Sequence, residues 1–236
     1  MIPLASKPHP RKADPGGKPP AGVLVVDDHP VVRQGLAMLI NHEPDLTVCA
    51  EAATAPDALK AIAEAKPDVA IVDLSLKGAS GLELIKDIKV RYPHLPVLVL
   101  SMSDENVYAE RALRAGARGY LMKEEAAEKV LTALRRVLDG GIYLSDAMAS
   151  RLLRQFVAGA LPAGGSPVDR LSDRELEVFR LIGQALGTSE IARQLHLSPK
   201  TIETYRAHIK DKLKLDTATE LLQHAIQFVR ETAGNA

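Results

Sequence analysis

Five polar residues stand where short apolar runs stop. Asp27 and Asp28 follow the run from Val23 to Val26, Asp73 follows Val69 to Val72, Ser101 follows Val97 to Leu100, and Lys123 follows Gly119 to Met122. Brought onto one surface, these groups would serve a hard cation and a phosphoryl group. Converging carboxylates repel one another and need a cation between them. Oxygen donors alone, with the Ser75 backbone carbonyl and waters completing the shell, favour octahedral Mg2+ over zinc. Asp73 then has the chemistry of a nucleophile that attacks phosphorus and carries an aspartyl phosphate. Mg2+ and Lys123 would neutralise the developing charge, and Ser101 and Lys123 would hold phosphoryl oxygens. Each residue also has an ordinary reading. Asp27 or Asp28 could cap a helix beginning near Pro30, Ser101 could cap the helix after Asp104, Asp73 could be a turn residue and Lys123 a solvated charge. The combination at four strand ends is what speaks for chemistry.

Those strand ends meet only in one kind of fold. Apolar runs at Val23 to Val26, Leu46 to Ala50, Val69 to Val72, Val97 to Leu100 and Gly119 to Met122 alternate with segments of helical spacing near 31 to 42, 56 to 65, 81 to 91, 105 to 115 and 124 to 138. Strands linked by helical crossovers must run parallel, with helices on both faces of the sheet. The expectation is an α/β, doubly wound, five-stranded parallel domain. With the first and third strands adjacent, its ligand crevice lies at their carboxyl ends, where the strand order reverses.

Composition bounds the rest. The 236-residue chain carries as many basic as acidic residues, and its length suits two modest domains. Overall neutrality argues against a generally basic nucleic-acid protein but leaves room for a local positive patch. Cys49 is the only cysteine, so no disulfide framework or cysteine-based metal site can form within one chain. No apolar run approaches the roughly 20 residues that span a bilayer, and the first residues lack the order of a signal peptide. A cytoplasmic protein without membrane attachment is expected. Residues 1 to 21, rich in proline with Lys7, Arg11, Lys12 and Lys18, read as a disordered basic tail.

Residues 22 to 140 make up the first domain, which Gly140-Gly141 closes. Residues 141 to 167 read as a linker that includes a short helix from Ser145 to Val157 and ends in a run rich in glycine, alanine and proline. An all-α domain over 168 to 232 follows. Ser172 and Glu175 form a capping box, a helix to about Leu186 is stopped by Gly187, a short helix runs from Ser189 to Leu195, and Ser198-Pro199 opens another. A last helix covers 218 to 230. A tight turn between the second and third helices suggests helix-turn-helix geometry. Between Arg193 and Lys214 six cations face two carboxylates, an excess of four positive charges in a neutral chain. Such a concentration suits the phosphates of a duplex. Ile202, Ile209 and Leu213 share a core face with Tyr205 beside them. Lys200, Thr201, Glu203, Thr204, Ala207 and His208 face outward. In such a motif Lys200, Thr204 and Glu203 are candidates to read bases, and Arg206, Lys210 and Lys212 to hold phosphates.

Val25-Val-Asp-Asp-His-Pro30, Asp73, Ser101 and Tyr120-Leu-Met-Lys123 resemble the motifs of the receiver domain of two-component response regulators. The resemblance implies a flavodoxin-like fold with Asp73 as phosphoacceptor. It implies that Asp28 holds Mg2+ directly and Asp27 through water, and that Tyr120 is a switch whose ring turns inward as Ser101 moves toward the phosphate. Leu171 to Val178, Ser189 to Ala192 and Leu197 to Arg206 resemble the LuxR-type helix-turn-helix of NarL/FixJ regulators. A sensor histidine kinase, double-stranded DNA and a homodimer of the active form are the partners implied; Leu221, Leu222, Ala225 and Ile226, partly available, either fall on the family's dimerisation helix or serve only the core of their own domain. The chain departs from the pattern at Leu76-Lys77, where Met-Pro is common, and at Ser189, where lysine is common. The first departure bears on how long a phosphate lasts, the second on one DNA-backbone contact. Two other classes fit parts of the pattern. A phosphatase-like enzyme with an aspartyl nucleophile would need a second acid two residues after Asp73, where this chain has Ser75. A protein-interaction adaptor would share the helical domain but bind no DNA.

Overall fold

The computed structural model describes residues 19–76, 79–157, 167–195 and 197–233. The proline-rich tail to residue 18, Lys77 and most of the glycine-rich run before Pro167 lie outside them, so the tail and the Lys77 departure are left as sequence readings. The chain divides after Ser145 into two compact units.

In the first unit β1 (Ala21–Val26), β2 (Leu46–Ala52), β3 (Val69–Val72), β6 (Val97–Ser101) and β7 (Gly119–Met122) form one sheet in the order β2-β1-β3-β6-β7, all pairs parallel. The crossovers are α1 (Pro30–Asn41), α2 (Ala55–Ala65), α3 (Gly81–Arg91) and α4 (Glu105–Ala115), and α5 (Ala126–Leu138) follows β7. Continuous valine, isoleucine and leucine runs suit strands covered on both faces. Val23 to Val26 and Val69 to Val72 are accordingly buried throughout. On one face α1 and α5 pack Leu36, Ile40, Val130, Leu134 and Val137 onto Val23, Val25, Ile71 and Leu98.

Two features differ from the sequence reading. The segment after Asp73, expected as a loop, contains a small antiparallel pair, β4 (Ser75–Leu76) and β5 (Ala79–Ser80). Beyond α5, Tyr143 makes a parallel bridge to Gly119. Its carbonyl accepts from the Tyr120 N–H at 2.9 Å and its N–H donates to the Arg118 carbonyl at 3.0 Å. The outer edge of β7 is thus covered, which spares the sheet an open row of backbone groups.

The second unit contains α6 (Asp146–Val157), α7 (Asp173–Gly183), α8 (Thr188–Gln194), α9 (Pro199–Leu213) and α10 (Ala218–Ala233). Ser172 and Glu175 form the expected capping box, and Ser198 accepts from the Thr201 N–H at 3.1 Å with Pro199 in the first turn. The expected stop at Gly187 is a correction. Helix α7 ends at Gly183, and the left-handed residue is Ala185, φ 62°. Ala185 N–H bonds the Ile182 carbonyl and Leu186 N–H the Leu181 carbonyl, closing a Schellman motif. Gly187 instead precedes α8 and donates its N–H to Glu190 Oε2 at 2.9 Å. Of the two roles open to the last helix, Leu221 and Ala225 take that of the core, both fully buried with Leu176, Phe179 and Ile182, while Leu222 is exposed. Helices α7 and α10 meet so closely that a Cβ on Gly183 would lie 2.3 Å from the Ala225 carbonyl oxygen.

Gly183→Ala is therefore expected to destabilise the second unit by about 1–3 kcal/mol through overpacking. Ala185→Gly relieves a left-handed alanine and should stabilise it by about 1 kcal/mol. Urea unfolding monitored by circular dichroism tests both, and unshifted midpoints would contradict these packing and strain assignments.

Candidate functional site

Strand register assembles the site. Val26 lies opposite Val72, Val72 opposite Val99, and Ser101 opposite Met122. One residue further on, Asp27 and Asp73 leave adjacent strands side by side and Lys123 leaves β7 toward them. Lys123 Nζ lies 2.6 Å from Asp27 Oδ2 and donates to Asp73 Oδ2 at 2.7 Å. All three side chains are nearly enclosed, at 9 %, 3 % and 2 % exposure respectively, which removes the solvated reading of Lys123. The other Asp73 oxygen, Oδ1, accepts from the Ser75 N–H at 3.2 Å.

Asp28 completes the acidic group. Ligand atoms of Asp27, Asp28, His29 and Asp73 all lie within 4.8 Å of one another. His29 Nδ1 is 3.1 Å from Asp27 Oδ1 and 2.8 Å from Asp28 Oδ1. The second approach lacks the angle of a hydrogen bond, and Asp28 Oδ1 is buried without one. Burial pushes the Asp73 carboxyl above the usual range against the pull of Lys123. Burial opposes the Lys123 charge, but Asp73 and Asp27 more than offset it and hold the ammonium well protonated. Among the described residues, one ammonium beside three carboxylates leaves two negative charges uncompensated. The donor set, its crowding and the orphaned Asp28 oxygen fit a divalent cation with oxygen ligands.

The helix-cap readings fail at Ser101 and fit only loosely at Asp27. Asp104, not Ser101, caps α4, accepting from the Asn106 N–H at 2.8 Å. At α1 the N-cap residue is His29, with no side-chain cap bond, while Asp27 Oδ1 accepts from the His29 N–H at 2.8 Å. Ser101 is fully buried, and its Oγ accepts from the Ser103 N–H at 3.2 Å. Tyr120 is equally buried, and its hydroxyl donates to the Ser103 carbonyl at 2.6 Å. Burial raises the Tyr120 phenol far above its ordinary range, so it stays a donor. One residue, Ser103, thus joins Ser101 to an inward-turned Tyr120.

Arg33, which sequence reasoning passed over, donates Nη1 to the Asp27 carbonyl at 2.6 Å, with Nε 3.4 Å from Glu51 Oε2. Its position six residues after Asp27, on the second turn of α1, is the one signal that could have found it. A second is Gly81, where an added Cβ would fall 2.1 Å from the Asp73 carbonyl oxygen. Helix α3 begins against the backbone of Asp73, and only glycine permits that approach.

In the second unit α9 presents Lys200, Glu203, Thr204, Ala207 and His208 as exposed residues and buries Ile202 and Ile209, with Thr201, Arg206 and Lys210 half-buried. The Thr201 and Ser198 hydroxyls bond each other at 2.8 Å, and Thr204 Oγ1 donates to the Lys200 carbonyl at 3.1 Å. Lys212 turns back to its own domain, with Nζ 2.6 Å from Oε2 of the buried Glu175.

Models of two families match the chain: the response regulator receiver domain over residues 23–135, and the luxR family of bacterial regulatory proteins over 169–225. The oxygen regulatory protein NreC of Staphylococcus epidermidis is 35% identical over 210 residues, covering 87% of this chain and 96% of NreC. The chain is a response regulator with a LuxR-type DNA-binding domain. Among solved structures, Salmonella enterica serovar Typhimurium RcsB bound to promoter rprA with the phosphomimetic BeF3- is similar at 28% identity and TM-score 0.58, over 87% of this chain and 98% of that one. A LuxR-family two-component response regulator from Aurantimonas sp. is 33% identical with TM-score 0.55, over 58% of this chain and 99% of that one. The regulator is thus a phosphorylation-controlled transcription factor of the LuxR type, not a conventional enzyme. No helix among the described residues is long and apolar enough to cross a membrane.

The Glu175 pair gives a pH dependence with a definite sign. Burial raises the Glu175 pKa, but hydrogen bonds from Lys212 and Ser172 outweigh it and leave the value lowered. The stabilisation is fully present above the unfolded value of about 4.3 and is lost as pH falls through the lower folded value. Glu175→Gln should therefore flatten the loss of second-unit stability in acid. Thermal unfolding from about pH 6 to about pH 3 measures this, and parallel curves for the two proteins would contradict it.

Proposed function

We propose that Asp73 is the phosphoacceptor of the regulator and that its modification, by a sensor histidine kinase or a small phosphodonor, controls DNA binding by α9. The observation that carries the reading is the Lys123 ammonium seated between Asp27 and Asp73 at the carboxyl ends of β1 and β3. In the transfer an Asp73 oxygen attacks phosphorus, the new P–O bond forms as the bond from phosphorus to the donor group breaks, and the donor leaves with the electron pair. Lys123 then exchanges part of its pairing with Asp73 for a phosphoryl oxygen. Mg2+ is the divalent ion that suits the donor set; Asp28 with Asp27, Asp73 and the Ser75 carbonyl would hold it, and when bound it supplies charge neutralisation at the phosphoryl oxygens. Ser101 is released from the Ser103 N–H to meet the phosphoryl group, and Tyr120, through its bond to the Ser103 carbonyl, is held inward as the loop shifts. Phosphate acts by favouring one of two arrangements of this loop.

On the DNA side, Lys200, Glu203 and Thr204 are assigned to base edges and Thr201, Arg206 and Lys210 to the backbone. Lys212 contributes to the positive field while its ammonium is held by Glu175. We place the protein in the cytoplasm, supported by its family and its single cysteine, and expect the active form to be a homodimer, as RcsB is in its dimers bound to parallel DNAs.

Asp73→Asn should abolish labelling by a radiolabelled acyl phosphate while leaving the circular dichroism spectrum unchanged. Undiminished labelling would place the phosphoacceptor elsewhere. Lys200→Ala should relax discrimination among duplexes, whereas Lys210→Ala should weaken all duplexes alike and lower the salt slope by about one; gel shifts at graded salt read both.

A further inference from the structure

On the outward face of α9 the Glu203 side chain is held from the first turn of α8. Glu203 Oε1 accepts a hydrogen bond from Thr188 Oγ1 at 2.6 Å, and Thr188 is the first residue of α8. The other oxygen, Oε2, lies 3.8 Å from Arg206 Nε, one turn further along α9. The Glu203 side chain is nevertheless 59 % exposed, while that of Arg206 is 20 % exposed. The neighbouring hydroxyls behave differently. Those of Thr201 and Thr204 are engaged within their own helix and its cap. Glu203 is therefore oriented across the turn of the motif and still open to what approaches α9.

A carboxylate in this place needs a reason. Within a segment of local positive charge it repels the phosphates that the cations attract. It offers only acceptor oxygens, so a base can meet it favourably only through an exocyclic amine, which in the major groove belongs to cytosine or adenine. The acceptor atoms of guanine and thymine at the same place would be repelled. A mobile glutamate could swing away from such a clash and would discriminate little. One held by Thr188 cannot retreat without breaking a hydrogen bond, so it both rewards the amine and penalises the acceptors. Ordering it in the free protein also removes part of the entropy cost of the contact.

We propose that Thr188 is a specificity-determining positioning residue, whose hydroxyl presets the Glu203 carboxylate to read a base with an exocyclic amine, cytosine or adenine, in the major groove. This rests on the reading of α9 as the duplex-binding helix. It extends the specificity surface from α9 to the first residue of α8, at the position just before Ser189.

The test is selection of duplexes from a random pool by the full chain, followed by titration of single-base variants of the winning site. Wild type, Thr188→Val, Thr188→Ser and Glu203→Gln are compared. Wild type is expected to enrich cytosine or adenine at one position of each half-site and to lose about tenfold or more in affinity when that base becomes guanine or thymine. Thr188→Val, nearly equal in shape but without the O–H, should cut that ratio to about threefold or less, with little change in affinity at other positions or in thermal midpoint. Thr188→Ser should restore the ratio, and Thr188→Val added to Glu203→Gln should change nothing further. Full discrimination by Thr188→Val would overturn the proposal. So would a uniform loss of affinity together with a lower thermal midpoint, which would make the bond a fastening between helices. Failure of wild type to bind any duplex would remove the reading of α9 and this inference with it.

Discussion

Three carboxylates share the end of one sheet with a single buried ammonium, and this imbalance governs the first unit. At an effective dielectric constant of about 20, like charges some 5 Å apart repel by roughly 3 kcal/mol. Lys123 answers part of that by lying within 2.7 Å of both Asp27 and Asp73. Asp28 keeps a buried Oδ1 without a hydrogen bond, 2.8 Å from the His29 ring nitrogen. The rest of the unit is arranged to keep this unfavourable group together. Parallel register places Asp27 beside Asp73, Arg33 holds the Asp27 carbonyl, and Gly81 lets α3 begin against the Asp73 backbone. A site that is short of positive charge in its resting form is well suited to a cation, and then to an anion held by that cation.

The same crowding links the acidic end to the far side of β6. Ser101 and Tyr120 are joined through Ser103, which offers its N–H to one and its carbonyl to the other. The two bonds flank the single Cα of Ser103, so a displacement of the loop at Ser101 is felt at the phenol. Tyr120 is fully buried here, with its hydroxyl satisfied. The inward position is therefore a stable packing of the ring and needs no phosphate to exist; a ligand has only to change its population.

Much of this was legible in the sequence, for reasons that differ by element. Runs such as Val69 to Val72 announce doubly covered strands because nothing polar is tolerated on either face, and their ends mark where polar groups can emerge. Ser172 with Glu175 and Ser198 with Pro199 are local signals, readable because capping is satisfied within four residues. What stayed hidden depends on contacts distant in sequence or on backbone angles. Gly187 looked like a helix stop, yet the left-handed position fell on Ala185, because the Schellman bonds and the approach of α10 at Gly183 set the end of α7. The pairing of Lys212 with Glu175, distant in sequence, is likewise set only by the fold. Whether Leu221 and Ala225 face a partner or the core is set by α7, which packs over them. Thr188 lies outside the recognised motifs, and only the fold makes it a neighbour of Glu203.

The bridge from Tyr143 to β7 has a consequence for where the first unit ends as an autonomous folding body. The repeating pattern of strand and helix is complete at Leu138, and the receiver family match stops at residue 135. A fragment cut there would leave the Tyr120 N–H and the Arg118 carbonyl on a bare sheet edge. It would also remove Ser145, whose N–H and hydroxyl both bond the Glu105 carboxylate at the start of α4. The last seven residues before the unit boundary thus behave as a clasp on the strand that bears Tyr120. The boundary set by hydrogen bonding, at Ser145, lies later than the one set by the repeat.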